Sequence, residues 1–158
     1  MQAKNNMSKI SKIVYLFISI VFFVLFDLFL SETIIAKADL ITENPVLNIV
    51  FVQNQGAAFN ILNGCKSFLI AFSAVAVICL IVYAIRHIER MSVFMLFFTS
   101  MLVAGIFSNM LERLMFGFVR DYIKLVFVDF PVFNISDIFI NIGVISIIFI
   151  MLKRSYLK

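Results

Sequence analysis

The sequence predicts an all-α membrane protein: four transmembrane helices with a small extracytoplasmic β element. Three observations lead there. Hydrophobic residues fill 63% of the 158 positions and charged residues only 14%, whereas about a quarter of a soluble globular chain is charged. Four apolar runs are each long enough to cross a hydrocarbon layer of about 30 Å. Between the first two lies a stretch whose β-branched and aromatic content reads as a strand.

The first run covers about 13–30 and is interrupted only by Asp27. Lys4, Lys9 and Lys12 precede it as they would in a signal peptide, but the run is too long and no small-residue cleavage site follows. An outer segment, about 31–67, comes next. Within it Leu47-Asn-Ile-Val-Phe-Val52, bounded by Asn44-Pro45 and Gln53-Asn54, predicts the strand, and an Asn63-Gly64 turn signal follows. The second run is about 68–85, the third about 91–111, and the fourth about 135–152, with a second outer segment at about 112–134. No internal repeat divides the chain, so residues 1–158 read as a single domain.

Basic residues set the expected orientation. Lys4, Lys9, Lys12, Arg86, Arg90, Lys153, Arg154 and Lys158 are eight of the thirteen Lys and Arg, and the regions holding them contain only one acid, Glu89. The positive-inside rule then puts both termini in the cytoplasm and the two longer segments outside. The same clustering at the ends of apolar runs argues against nucleic acid as the reason for the net charge of +4. Cys65 and Cys79 would lie about 21 Å apart on a helix, beyond the roughly 7 Å that a disulfide spans. Both are expected to be free.

Two aspartates flank the start of the last run: Asp121 in Val119-Arg-Asp-Tyr-Ile123 and Asp137 in Phe133-Asn-Ile-Ser-Asp137. A charge at the centre of a membrane helix costs about 2.5–3.5 kcal/mol on insertion scales, so a carboxylate beside hydrocarbon usually serves function. Two at one depth can make an acid/base pair. Asn134, Asp137 and Asn141 share one helix face by their i, i+3, i+7 spacing. On the third run Asn109 and Arg113 are four apart, Glu112 adjoins them, and Gly105 permits close helix approach. These residues predict a polar pocket at the outer end of the bundle. A structural reading is open as well, with Asn109 and Asn134 as interhelical partners, Glu112–Arg113 as an ion pair, and Asp27 capping or pairing with Arg113.

Other chemistries lack their residues. There is no HExxH motif, no Cys/His cluster and no glycine-rich phosphate loop. The only histidine, His87, falls on the cytoplasmic side, away from any outer serine. Lys66 and Lys124 read as interfacial cations. Carboxylates remain as catalysts, and no metal or cofactor is expected. A small transporter whose aspartates relay protons or bind cations is the alternative from another class.

Four motifs then occur in order: Asn54-Gln-Gly-Ala-Ala-Phe59, Ser108-Asn-Met-Leu-Glu-Arg113, Gly117-Phe-Val-Arg-Asp-Tyr-Ile123 and Phe130-Pro-Val-Phe-Asn-Ile-Ser-Asp137. Together they resemble the successive motifs of lipoprotein signal peptidase (signal peptidase II), over nearly the whole chain. The resemblance implies an aspartyl endopeptidase of the bacterial inner (cytoplasmic) membrane. It would cut prolipoproteins on the N-terminal side of a diacylglyceryl-modified cysteine, with membrane lipid around it, and globomycin-type inhibitors would block it. Asp121 and Asp137 match the catalytic dyad. Asn54, Gly56 and Arg113 match residues that hold substrate, while Asp27, Asn109, Glu112 and Asn134 match residues that support the site. The family also implies a short surface helix near residues 40–65. Glu112 stands where the family usually has Asp, Ser108 where it has Gly, and Ser136 where it has Ala, while Ile138 occupies a common Ser position. The Gln and Lys that normally follow the first-span Asp are absent, with Leu28 and Ser31 nearby. A relative that binds lipoproteins without cutting them is a further alternative.

Overall fold

A computed structural model of the chain describes residues 7–37, 44–57 and 61–156. It contains four long helices, α1 (Lys9–Ala36), α2 (Lys66–His87), α3 (Val93–Phe116) and α4 (Ile135–Tyr156), and a two-stranded antiparallel sheet of β1 (Leu47–Asn54) and β2 (Val119–Leu125). All four helices are long and apolar enough to cross a membrane. The expected fold class is the observed one. Of the surface-helix region, residues 44–57 and 61–65 hold only β1 and turns; the rest lies outside the described residues.

Helix α3 is the central helix and packs on α1, α2 and α4. Its small and polar residues explain that position, because they allow close approach and find partners within the bundle. Thr99 Oγ1 donates to Met95 O (2.7 Å) and Ser100 Oγ to Leu96 O (2.8 Å). Against α4 two glycines bring the backbones together. A Cβ on Gly105 would lie 2.6 Å from Ser136 O, and one on Gly143 2.8 Å from Leu102 Cβ. Phe23 of α1 fills the layer above, edge-on to Phe97 and Phe139 at 5.2 Å each. Phe22, Phe29, Phe72, Ile145 and Phe149 point outward from α1, α2 and α4, a surface that suits lipid and not water.

The helices outrun their apolar runs, because hydropathy reports depth in hydrocarbon whereas caps set helix ends. Ser8 caps α1, its Oγ accepting from Ser11 N (3.1 Å), and the helix continues to carry Ser31 and Glu32. Helix α3 ends at Gly117 with φ 90°, whose N–H donates to Arg113 O (3.1 Å). Glu112 and Arg113 therefore lie on α3 itself and not in the segment that follows it. Lys12, expected to flank the first run, is buried. Its ammonium donates to Ile88 O (3.2 Å), Glu89 O (3.0 Å) and Met91 O (2.8 Å), capping the turn between α2 and α3 where helix carbonyls lack partners.

The sheet sits at the other end. Its register pairs Val52 with Asp121, Gln53 with Arg120 and Asn54 with Val119. Between Ile49 and Val52 the register slips by one residue, a bulge in β1 that bends the strand and re-aims the side chains after it. Asn54 and Asp121 then share a face as diagonal neighbours.

Candidate active site

The two aspartates reach one cavity from different elements. Asp121 comes from β2 and Asp137 from the first turn of α4. They border a space of about 1060 Å³ together with Asn54, Asn109 and Arg113. Below them the cavity continues along Leu69, Phe72 and Ala76 of α2, Ile106 of α3, and Ile138 and Ile142 of α4. A polar head therefore opens into an apolar trough.

Asn134 ties the pair together. Its backbone N–H donates to Asp137 Oδ2 (3.2 Å), and its Nδ2 donates to Asp121 Oδ1 (3.0 Å) and to Asn109 Oδ1 (3.1 Å). In return Asn134 Oδ1 accepts from Asp137 N (2.9 Å). That exchange is a capping box, the device that closes a helix N-terminus, so Asn134 caps α4 where the spacing predicted a shared helix face. Asn109 Nδ2 donates to Asp137 Oδ1 (2.9 Å) and Asn54 Nδ2 to Asp121 Oδ2 (2.9 Å). Each carboxylate thus accepts two hydrogen bonds. Asp121 is 2% exposed. Burial, and next the negative charge of Asp137, push its carboxyl up to about 7, against the pull of the Asn54 hydrogen bond and Arg113.

Arg113 lies beside the pair. It donates from Nη1 to Asn109 O (3.0 Å) and from Nη2 to Gly56 O, while its buried Nε has no partner among the described residues. Gly56 N in turn donates to Asn54 Oδ1 (3.0 Å). Asn54 and Arg113, both at the cavity, are therefore linked through the backbone of Gly56.

Glu112 and Asp27 face the other way. Glu112 does not pair with Arg113, because adjacent helix residues point about 100° apart. It binds Arg120 of β2, accepting from its backbone N (2.7 Å), Nε (2.9 Å) and Nη2 (2.6 Å). Glu32 of α1 accepts from Arg120 Nη1 (2.7 Å). Burial weakens the Arg120 charge, but its hydrogen bonds to Glu112 and Glu32 outweigh that and hold the guanidinium above the ordinary arginine value. Asp27 forms no ion pair with Arg113. It is 2% exposed and sits against the hydroxyls of Ser108 and Ser136. Tyr122, the residue after Asp121, shares a 2.9 Å hydrogen bond with Ser31 and accepts from Ile135 N (3.4 Å). Burial pushes its phenol up to about 12, so it stays neutral. Arg120, Glu32 and Tyr122 are not legible in the sequence because nothing in their spacing marks them as partners of residues so distant along the chain.

The comparisons with known proteins agree with this architecture. The family model for signal peptidase (SPase) II matches residues 16–153. A lipoprotein signal peptidase of Streptococcus pneumoniae strain R6 is 35% identical over 108 residues, which cover 68% of this chain and 70% of that protein. One from Streptococcus thermophilus strain CNRZ 1066 is 28% identical over 109 residues, covering 69% and 71%. A bacterial membrane enzyme solved by the in meso method at 2.3 Å superposes with a TM-score of 0.77 and 36% identity, over 90% of each chain. The match spans the helices and the strands alike, and this chain, an integral membrane protein, belongs to the signal peptidase II family of proteases.

Proposed function

We propose that this protein is an aspartyl endopeptidase that removes the signal peptide from prolipoproteins, cutting on the N-terminal side of a diacylglyceryl-modified cysteine. The observation that carries this reading is the joining of Asp121 and Asp137 through Asn134 at the head of an apolar trough. Two carboxyl groups in one buried site share a proton and titrate as a pair. The ionised one takes a proton from water as the oxygen attacks the scissile carbonyl. The neutral one donates to the developing oxyanion. When the C–N bond breaks, the pair returns a proton to the leaving amine. The products are a signal peptide with a new carboxylate and a lipoprotein whose cysteine carries a free amino group.

Asn54, Gly56 and Arg113 hold the substrate backbone in this reading, kept in place by the hydrogen bonds that link them. The trough takes the acyl chains, which brings the bond to the depth of the dyad. Asn109, Asn134, Glu112 and Asp27 support the arrangement. In this reading the site lies at the outer face of the bacterial cytoplasmic membrane with both termini inside, which the basic-residue asymmetry supports.

The test is cleavage of a synthetic diacylated prolipopeptide by the protein in liposomes. Wild type should cut it, Asp121→Asn and Asp137→Asn should lose about 10³-fold or more in kcat, and globomycin should inhibit. Ion or proton flux without peptide cleavage would overturn the proposal.

A further inference from the structure

Arg120 touches neither the cavity nor Asp137, yet it precedes Asp121 on β2. Successive strand residues point to opposite faces, so when Asp121 faces the cavity Arg120 faces the helices behind it. There it meets two acids from two different helices. Glu112 of α3 takes three hydrogen bonds from this one residue, one of them from the backbone N–H next to Asp121. Glu32 of α1 takes the fourth. The Phe116 ring lies 4.4 Å beneath the guanidinium, a cation–π contact that closes the remaining face. The side chains of Arg120 and Glu112 are 9% and 6% exposed, and that of Glu32 is 64% exposed. The tight half of this arrangement is therefore on α3, the helix that also carries Asn109, the hydrogen-bond donor to Asp137.

We infer that Arg120 is a positioning residue for the reaction: its buried link to Glu112 hangs β2 from α3 and sets where the Asp121 carboxyl meets Asp137. One helix then serves as the frame for both carboxylates, through Glu112 and Arg120 on one side and through Asn109 on the other. The length of the Glu112 side chain belongs to this design. Its two oxygens reach the β2 backbone and the guanidinium at once, which an aspartate one methylene shorter cannot do from the same place on α3. Lysine at 120 keeps a charge but loses the forked geometry that binds a carboxylate at two points.

The inference rests on the peptidase reading, and kinetics in liposomes with the diacylated prolipopeptide separates the two. Arg120→Lys and Glu112→Asp are compared with wild type, with kcat expressed per folded molecule from thermal unfolding in detergent. Both variants should lower kcat by about 10- to 100-fold, the scale of a misplacement near 1 Å, with KM within about twofold. Both should displace the basic limb of the kcat/KM profile, which a purely structural role would leave in place. The losses should not multiply in the double variant, because the two residues act as one unit. Unchanged kcat per folded molecule, or a loss confined to KM, overturns the inference while leaving the peptidase reading intact. No cleavage by wild type overturns both.

Discussion

In the peptidase reading a carboxyl group that is 2% exposed has to exchange a proton, and its pH dependence is visible in two ways. Asp121 keeps its proton up to about pH 7 because of burial and the facing Asp137. If it is the acid of the pair, kcat/KM falls about tenfold per pH unit above about 7. The sign for stability follows from the same shift. Between the ordinary aspartate value of 3.8 and about 7, the folded protein holds a proton that the unfolded chain releases, so stability declines as pH rises through that window. Asp121→Asn removes this decline. Its unfolding temperature should exceed that of wild type by a margin that grows as pH rises from 4 to 8, and parallel curves for the two proteins would refute the assignment. The aspartates were legible in the sequence because a carboxylate beside hydrocarbon is too costly to be casual. The partner of Glu112 was not. Its nearest charge in sequence, Arg113, points elsewhere, and its actual partner comes from a strand eight residues on.

At the scale of elements, the contact between α3 and α4 decides where Asp137 stands. Gly105 was expected to permit close approach, and it faces the backbone oxygen of Ser136, the residue just before Asp137. A methyl group at 105 would meet that oxygen at 2.6 Å, and backbone cannot swing aside as a side chain can. Gly105→Ala should therefore shift the start of α4 and lower kcat by about tenfold or more, with a lower unfolding temperature. Gly143→Ala is a matched control, since its methyl would meet Leu102 Cβ at 2.8 Å nearly two turns further along α4. It should lower the unfolding temperature with a clearly smaller loss of kcat per folded molecule. Equal kcat losses in both variants would count against the local explanation. The capping box was present in the sequence as Asn134-Ile-Ser-Asp137, a cap followed three residues later by an acid. Its i, i+3 spacing fits a helix face equally well, and only the observed start of α4 at Ile135 separates the two.

For the whole molecule, four apolar runs and one strand were enough to read the architecture, because bilayer thickness restricts what a chain of this composition can form. The order of the helices around α3 was not legible. It depends on small residues such as Ser100 and Gly105 meeting neighbours distant in sequence, as when Ser100 approaches Leu16 O at 3.3 Å. The two ends of the bundle differ in kind: Lys12 seals the turn between α2 and α3 at one end, and the sheet covers the dyad at the other. The native cysteines report which end faces out. Both are free and exposed, Cys65 just before α2 at the sheet end and Cys79 about 21 Å further along that helix. With the sheet end outside, a membrane-impermeant maleimide added to intact cells should label the Cys79→Ser variant, through Cys65. It should leave the Cys65→Ser variant unlabelled, because Cys79 then faces lipid. Labelling of Cys65 only after the membrane is opened would reverse the orientation and put the dyad on the cytoplasmic side, where a translocated prolipoprotein could not reach it.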